Sequence, residues 1–261
     1  MDTVDILVLD SLLGGYFKDG VHIERRIIMH WREGDGPIKS CTGGLDDLAL
    51  IWEGVNQKDL NSPGRQFEDL GVYRLEGHWR DSQTARRVFA PAGASERIED
   101  AEFKALAERL SIDVFVSDDI LGEMKLKRRF HVFEADVQTN AGSILFDLPA
   151  HDESVDPQAL QRARKIATDA TAWFAPIKTA IFDRLYADAV EWHQISTEEG
   201  YADTDEPISP ESFLSSLEIG SISLGSERIH MFVESPFISG GHAIEVRLTP
   251  NDEITEIGIA G

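Results

Sequence analysis

The sequence predicts an α+β protein with antiparallel sheets, a long helix packed on one sheet face with a kink or break at its internal proline, and a β-rich N-terminal half. Three observations predict it. Short β-type runs divided by turn residues fill residues 1–92 and return from Ile219 to the end of the chain. Between them, helical spacing of apolar residues persists from Leu160 to Trp192. Strands, then helices, then strands keep the two kinds of element apart, which is the α+β pattern.

Val4 to Leu9 is apolar and rich in β-branched residues, so it reads as a strand. Gly14-Gly15 breaks it. His22 to Trp31 reads as a second strand, and Gly34-Asp35-Gly36-Pro37 as a turn. Leu45 to Val55 fits either a strand or a helix, and Asn56 to Gln66 reads as a loop. Val72 to Trp79 alternates, with Tyr73, Leu75, Gly77 and Trp79 on the more apolar side, which should face a core. Ala90-Pro91-Ala92-Gly93-Ala94 has the composition of a linker. A helix is expected from Glu99 to Leu110, where Phe103, Leu106 and Leu110 form one stripe. Asp113 to Val116 reads as a short extended segment.

In the second half, Phe130 to Val137 and Ser143 to Leu148 flank Thr139-Asn140-Ala141-Gly142, a hairpin signal. Phe133, Ala135 and Val137 fall on one face. Asp156-Pro157 starts a helix: Asp accepts otherwise unpaired amide hydrogens, and Pro is tolerated in the first turn. Pro176 lies inside the helical pattern, where it removes a hydrogen bond and clashes with the preceding turn, so a kink or break is expected there. The aromatic pair Trp173 and Phe174 reads as core. Ser209-Pro210-Glu211 repeats the helix-start signal. Four closely spaced strands follow, Ile219 to Leu224, Arg228 to Glu234, His242 to Thr249 and Thr255 to Ile259, forming an antiparallel meander. Asp10-Ser11-Leu12-Leu13-Gly14 echoes Asp118-Asp119-Ile120-Leu121-Gly122, each before a strand. The expected division is a β-rich region over residues 1–92, a helical connector over 93–117 and an α+β domain over 118–261.

The chain of 261 residues is long enough to bury a core without covalent staples. No apolar run approaches the ~20 residues that span a bilayer, and the acidic start Met1-Asp2-Thr3-Val4-Asp5 lacks the basic opening of a secretory signal. A cytoplasmic protein is expected. The one cysteine, Cys41, excludes an internal disulfide and a Cys-rich zinc site. As a nucleophile it would need a neighbouring base, and the sequence identifies none.

The net charge of −22 disfavours nucleic acid and anionic membranes and favours a protein partner with a basic surface. The same acidity also serves solubility alone. Five acids crowd the nine residues Glu198 to Glu206, namely Glu198, Glu199, Asp203, Asp205 and Glu206. They read either as a solvated loop or as a binding patch for a basic partner. No phosphate loop, dinucleotide fingerprint, zinc-protease helix or nucleophile elbow is present in the sequence. Gly240-Gly241-His242 is the best pocket candidate, since the glycines admit a close ligand and His242 could act as a base. Glu245, three residues on along a strand, should point to the opposite face. The histidines His22, His30, His78, His131, His151, His193, His230 and His242 show no metal spacing along one helix, though His131 and His230 could meet on neighbouring strands. No cofactor and no metal are expected.

Asp119-Ile120-Leu121-Gly122, the strand pair after it, the long helix with Trp173, Gly241-His242-Ala243-Ile244 and the terminal Ile257-Gly258-Ile259-Ala260-Gly261 carry a family resemblance. Over residues 118–261 the chain resembles the bacterial family catalogued as domain of unknown function 2262. The resemblance implies a soluble bacterial α+β domain and carries no catalytic residues. Small acidic domains of this kind look like immunity proteins, so the leading expectation is an inhibitor that neutralises a toxin through an acidic surface. The alternatives are a small-molecule hydrolase with a site near His242 and a structural or regulatory module without catalysis.

Overall fold

The structure, a computed structural model, describes residues 1–9, 14–18, 21–25, 28–41, 48–50, 67–80, 87–92, 95–151, 153–198, 207–238 and 242–260. By its internal contacts the chain divides into two compact units, Met1–Asp113 and Val114–Gly261.

The N-terminal unit begins with β1 (Asp2–Val8), then β2 (Gly14–Lys18) and β3 (Val21–Arg25), which pair as a separate antiparallel ribbon. β4 (Ile28–Glu33), β5 (Lys39–Ser40), β6 (Leu48–Leu50), β7 (Val72–Arg80), β8 (Arg87–Pro91) and β9 (Glu96–Arg97) follow, and α1 (Ala101–Leu110) closes the unit. Among the described residues the main sheet runs β5-β4-β1-β7-β8-β6, with β9 beside β7. One face buries Ile6, Trp31, Tyr73, Leu75 and Phe89, so the alternation read in Val72 to Trp79 is the one observed. The opposite face buries Leu7 and Val72 against Phe103 of α1. Asp100 starts that helix by accepting from the amides of Glu102 and Phe103, both at 3.0 Å.

A charge network ties α1 to the sheet. Asp5 is buried, and its carboxylate accepts from Arg32 Nε at 3.1 Å and Arg74 Nε at 2.8 Å. Arg32 reaches on to Asp100 and Glu102. A buried carboxylate is tolerated here because both oxygens meet guanidinium donors.

Two expectations are corrected in this unit. The strand expected over His22 to Trp31 is two strands, β3 and β4. Ala90 and Pro91, expected in a linker, belong to β8, where they pair with His78 and Gly77. Pro suits this place because it ends the strand, where a missing amide hydrogen costs least. The Asp10–Leu13 part of the sequence echo lies outside the described residues.

The C-terminal unit holds β10 (Phe115–Asp118), β11 (Gly122–Lys127), β12 (Val132–Thr139), β13 (Gly142–His151) and β14 (Ser154–Val155). The helices α2 (Pro157–Thr168), α3 (Ala170–Glu198) and α4 (Pro210–Ser216) come next. β15 (Glu218–Leu224), β16 (Ile229–Glu234), β17 (Ala243–Leu248) and β18 (Ile254–Ala260) complete it. The sheet runs β10-β11-β12-β13-β15-β16-β17-β18, with β14 on β13. All neighbours are antiparallel except β13 and β15, which the helical excursion separates in sequence. The unit is α+β, and its helices cover one sheet face. Phe133, Phe146, Ile222, Met231 and Val246 from the strands meet Ile166, Phe174, Ile181 and Leu185 from the helices in one buried cluster. Each such side chain contributes roughly 1.5–3 kcal/mol by leaving water.

Local signals explain the helix starts. Asp156 accepts from the amides of Gln158 and Ala159, and Ser209 with Ser212 forms a reciprocal cap before Pro210. The break expected at Pro176 is elsewhere: α3 runs through Pro176, and the helical pattern is interrupted at Asp169. Asp169 has φ −147° and ψ 68°. Its carboxylate accepts from the Ala172 amide and from the Asn140 side chain, while Asn140 Oδ1 accepts from the Thr171 amide at 3.0 Å. Asp169 thus acts as a local cap, and Asn140 of the β12–β13 turn adds a second one from far along the chain. No helix among the described residues is long and apolar enough to cross a membrane.

Candidate functional site

Side chains alternate along a strand, so a sheet with helices on one face turns every second residue to the other. In the C-terminal unit that outward set is polar, and the strand register lines it up. Lys125, Glu134, Asp147, Ser223, His230, Arg247 and Glu256 are successive cross-strand partners from β11 to β18. The adjacent row holds Asp136, Leu145, Ser221, Phe232, Glu245 and Gly258. Leu145 and Phe232 are half-buried apolar residues outside the core cluster.

These groups are knitted by charge. Lys127 Nζ lies 3.0 Å from Glu134. Ser223 Oγ donates to Asp147 at 3.0 Å. Burial and the nearby Glu134 push the Asp147 carboxyl up, against the Ser223 hydrogen bond. His230 Nδ1 stands 3.3 Å from Glu245, which also receives Arg247 Nε at 2.9 Å. Chiefly through the Arg247 hydrogen bond, Glu245 is held below the usual carboxylate range. Arg247 extends the chain to Glu256. Ser223 and His230 are direct partners, but the serine hydroxyl is given to Asp147 and the imidazole faces Glu245. A base-activated nucleophile needs the hydroxyl on the imidazole instead. As arranged, the two rows offer carboxylates and the half-buried Phe232 to whatever approaches the face.

The residues singled out from sequence fall in different places. Glu198 is the last residue of α3, and Gln194 donates to it at 2.9 Å. Glu199, Asp203, Asp205 and Glu206 lie outside the described residues, as does Gly241. His242 is exposed just before β17, with Nδ1 3.3 Å from the Ala260 carbonyl oxygen. Glu245 turns to His230 and Arg247 rather than to His242. His131 does not join His230: it ends a single 3-10 turn, Arg128–Phe130, in the left-handed conformation at φ 52°. Cys41 is buried in the N-terminal core, where its Sγ accepts from the Leu48 amide at 3.4 Å. Among the described residues, no three His, Cys, Asp or Glu side chains converge as metal ligands.

Sequence reasoning missed the outward row. Its β15–β16 register could be counted from the Gly225–Arg228 turn. The β13–β15 pairing could not, because the two strands are joined through three helices.

A family model described as an uncharacterised protein conserved in bacteria, DUF2262, matches residues 118–259. No curated protein and no solved structure matches the chain.

Proposed function

The chain belongs to the DUF2262 family of uncharacterised proteins conserved in bacteria, and from that premise we propose that it is a protein-binding, immunity-like inhibitor that neutralises a toxin through an acidic surface. The observation that carries the reading is the distribution of charge. Residues 114–261 hold 26 acidic against 11 basic residues, a net −15, whereas residues 1–113 hold 21 against 14, a net −7. The unit that the family matches is therefore the strongly acidic one. Such a field speeds encounter with a basic partner and repels nucleic acid and anionic lipid.

The acidic groups that would meet the partner are Glu198, Glu199, Asp203, Asp205 and Glu206, with Asp136, Asp147 and Glu234 of the outward sheet face as a second set. The test is affinity capture of the tagged protein from its own bacterium, followed by binding kinetics at rising salt. One basic protein at near-equal amount, with an association rate that falls as salt rises, is the expected result. Lysines at the five positions from Glu198 to Glu206 should then weaken binding. A captured partner whose affinity ignores both acidic sets and salt would overturn the acidic-surface reading.

A further inference from the structure

An open sheet has two edges, and each presents a row of backbone N–H and C=O groups with no strand beyond it. In the C-terminal unit the edges are β10 and β18. Native edges are guarded by shortness, proline, lysine or inward-pointing charge. β10 is guarded by its length of 4 residues. β18 has 7, Ile254–Ala260, with neither proline nor lysine, and Glu256 is its only charge. That carboxylate is held by Arg247 of β17. A register shift disturbs the start of the strand, whereas Glu256 to Ala260 pairs evenly with β17. Among the described residues no other strand pairs with β18.

The two sides of this edge differ. Ile257 and Ile259 pack against the helix-covered core but are only half-buried, while Val246 and Ile244, their partners on β17, are fully buried. The apolar layer thus runs out to the edge and stops there half covered. On the other side Gly258 has open space where a side chain would stand. A fitting occupant is an extended strand that brings apolar residues to the first side and neither bulk nor negative charge to the second. A second copy of β18 meets each requirement. Run antiparallel about Gly258, it sets Ile257 against Ile259 of the second copy twice over, glycine against glycine, and Glu256 against an uncharged alanine. No like charges stand opposite, and β-branched pairs support one another across strands. The net charge of −22 opposes association, but repulsion between exposed charges is screened beyond about 8 Å at physiological salt.

We propose that the β18 edge is a self-association site, at which two copies of this chain pair their β18 strands antiparallel about Gly258 into one continuous sheet. The inference is independent of the toxin-binding reading. Salt should strengthen this contact, by screening like net charges, and weaken that one.

The experiment is sedimentation equilibrium of the whole protein over a rising concentration series. One strand-to-strand seam is smaller than a standard interface, so a weak, reversible monomer–dimer equilibrium is expected. Amide exchange along Glu256 to Ala260 should slow as the dimer fraction grows. Ala260→Lys places a cation opposite Glu256 of the second copy, in two symmetric places, and Ala260→Glu places an anion there. The lysine variant should associate about tenfold or more tightly than the glutamate variant. The same two substitutions at Gln138, exposed on β12, change the net charge equally and should differ by no more than about twofold. A parent chain that stays monomeric up to ~1 mM would overturn the proposal. So would a dimer whose strength ignores the charge at position 260 or follows it no better than at position 138, because the contact would then lie elsewhere.

Discussion

Asp118 joins β10 to the start of β11 and to α2. Its Oδ1 accepts from the amides of Ile120 and Leu121, each at 2.9 Å, and Oδ2 accepts from Arg164 Nε at 2.8 Å. Arg164 Nη2 also donates to Oδ2, and replacing Asp118 with alanine deletes both amide contacts and both guanidinium contacts. The turn cap is worth ~1 kcal/mol by analogy with helix caps. The ion pair adds ~0–1 kcal/mol, because Arg164 is 46% exposed although the Asp118 side chain is only 2% exposed. Titration gives an independent figure. The Arg164 hydrogen bond, with help from the two amides and against the cost of burial, lowers the carboxyl from 3.8 to about 2. At ~1.4 kcal/mol per tenfold this is about 2.4 kcal/mol, and screening on the Arg164 side reduces it to roughly 1–2 kcal/mol. The two routes agree. Because the folded value is the depressed one, this stability is fully present above pH 3.8 and is lost as pH falls toward 2. Asp118→Ala should therefore cost ~2 kcal/mol in urea unfolding at neutral pH, and the gap to the parent should shrink by roughly half near pH 3. Asp118→Asn keeps an acceptor for the amides and should lose about half as much. Faster hydrogen exchange at the Ile120 and Leu121 amides gives a local check. A variant within ~0.5 kcal/mol of the parent at neutral pH, or a gap that stays constant on acidification, would refute the reasoning.

Two further perturbations test the fold. Pro176→Ala restores a backbone donor in the second turn of α3 and removes a ring clash at an exposed position; thermal unfolding should show a gain of ~1–3 kcal/mol, and no gain would mean the helix has already adapted around the proline. At Gly77, an added Cβ would stand 2.2 Å from the Ala90 carbonyl oxygen and 2.8 Å from the Phe89 ring. The oxygen belongs to the paired strand and cannot swing away, so Gly77→Ala should lose ~2–3 kcal/mol in urea unfolding; a neutral result would mean that β7 and β8 do not approach this closely.

Much of the local structure was decided by the sequence alone. Alternation in Val72 to Trp79, the hairpin at Asn140-Ala141, the caps at Asp156 and Ser209 and the closing meander each depend on residues a few positions apart, and each is where its neighbours put it. The family is legible too, because its short signals fall within the matching unit. Gly122 has a physical reason to be glycine. It sits at φ +75°, directly after the Asp118 turn, a conformation that costs glycine almost nothing and a Cβ-bearing residue much more.

What only the tertiary structure decided involves partners far apart in the chain. Pro176 looked like the helix break, but the helix starts afresh after Asp169, where Asn140 in a distant turn caps the Thr171 amide and donates to the Asp169 carboxylate, and α3 runs on through the proline. Ala90-Pro91 looked like a linker, but pairing with β7 makes it strand. His230 looked able to meet His131 on a neighbouring strand, and only the register across β15 to β17 sets it between Ser223 and Arg247 instead. The parallel β13–β15 contact brings Asp147 to Ser223 across three helices, and no local pattern encodes that distance. Periodicity records which way a side chain faces; contact across the chain depends on loop closure and burial, whose energies are shared by many residues at once.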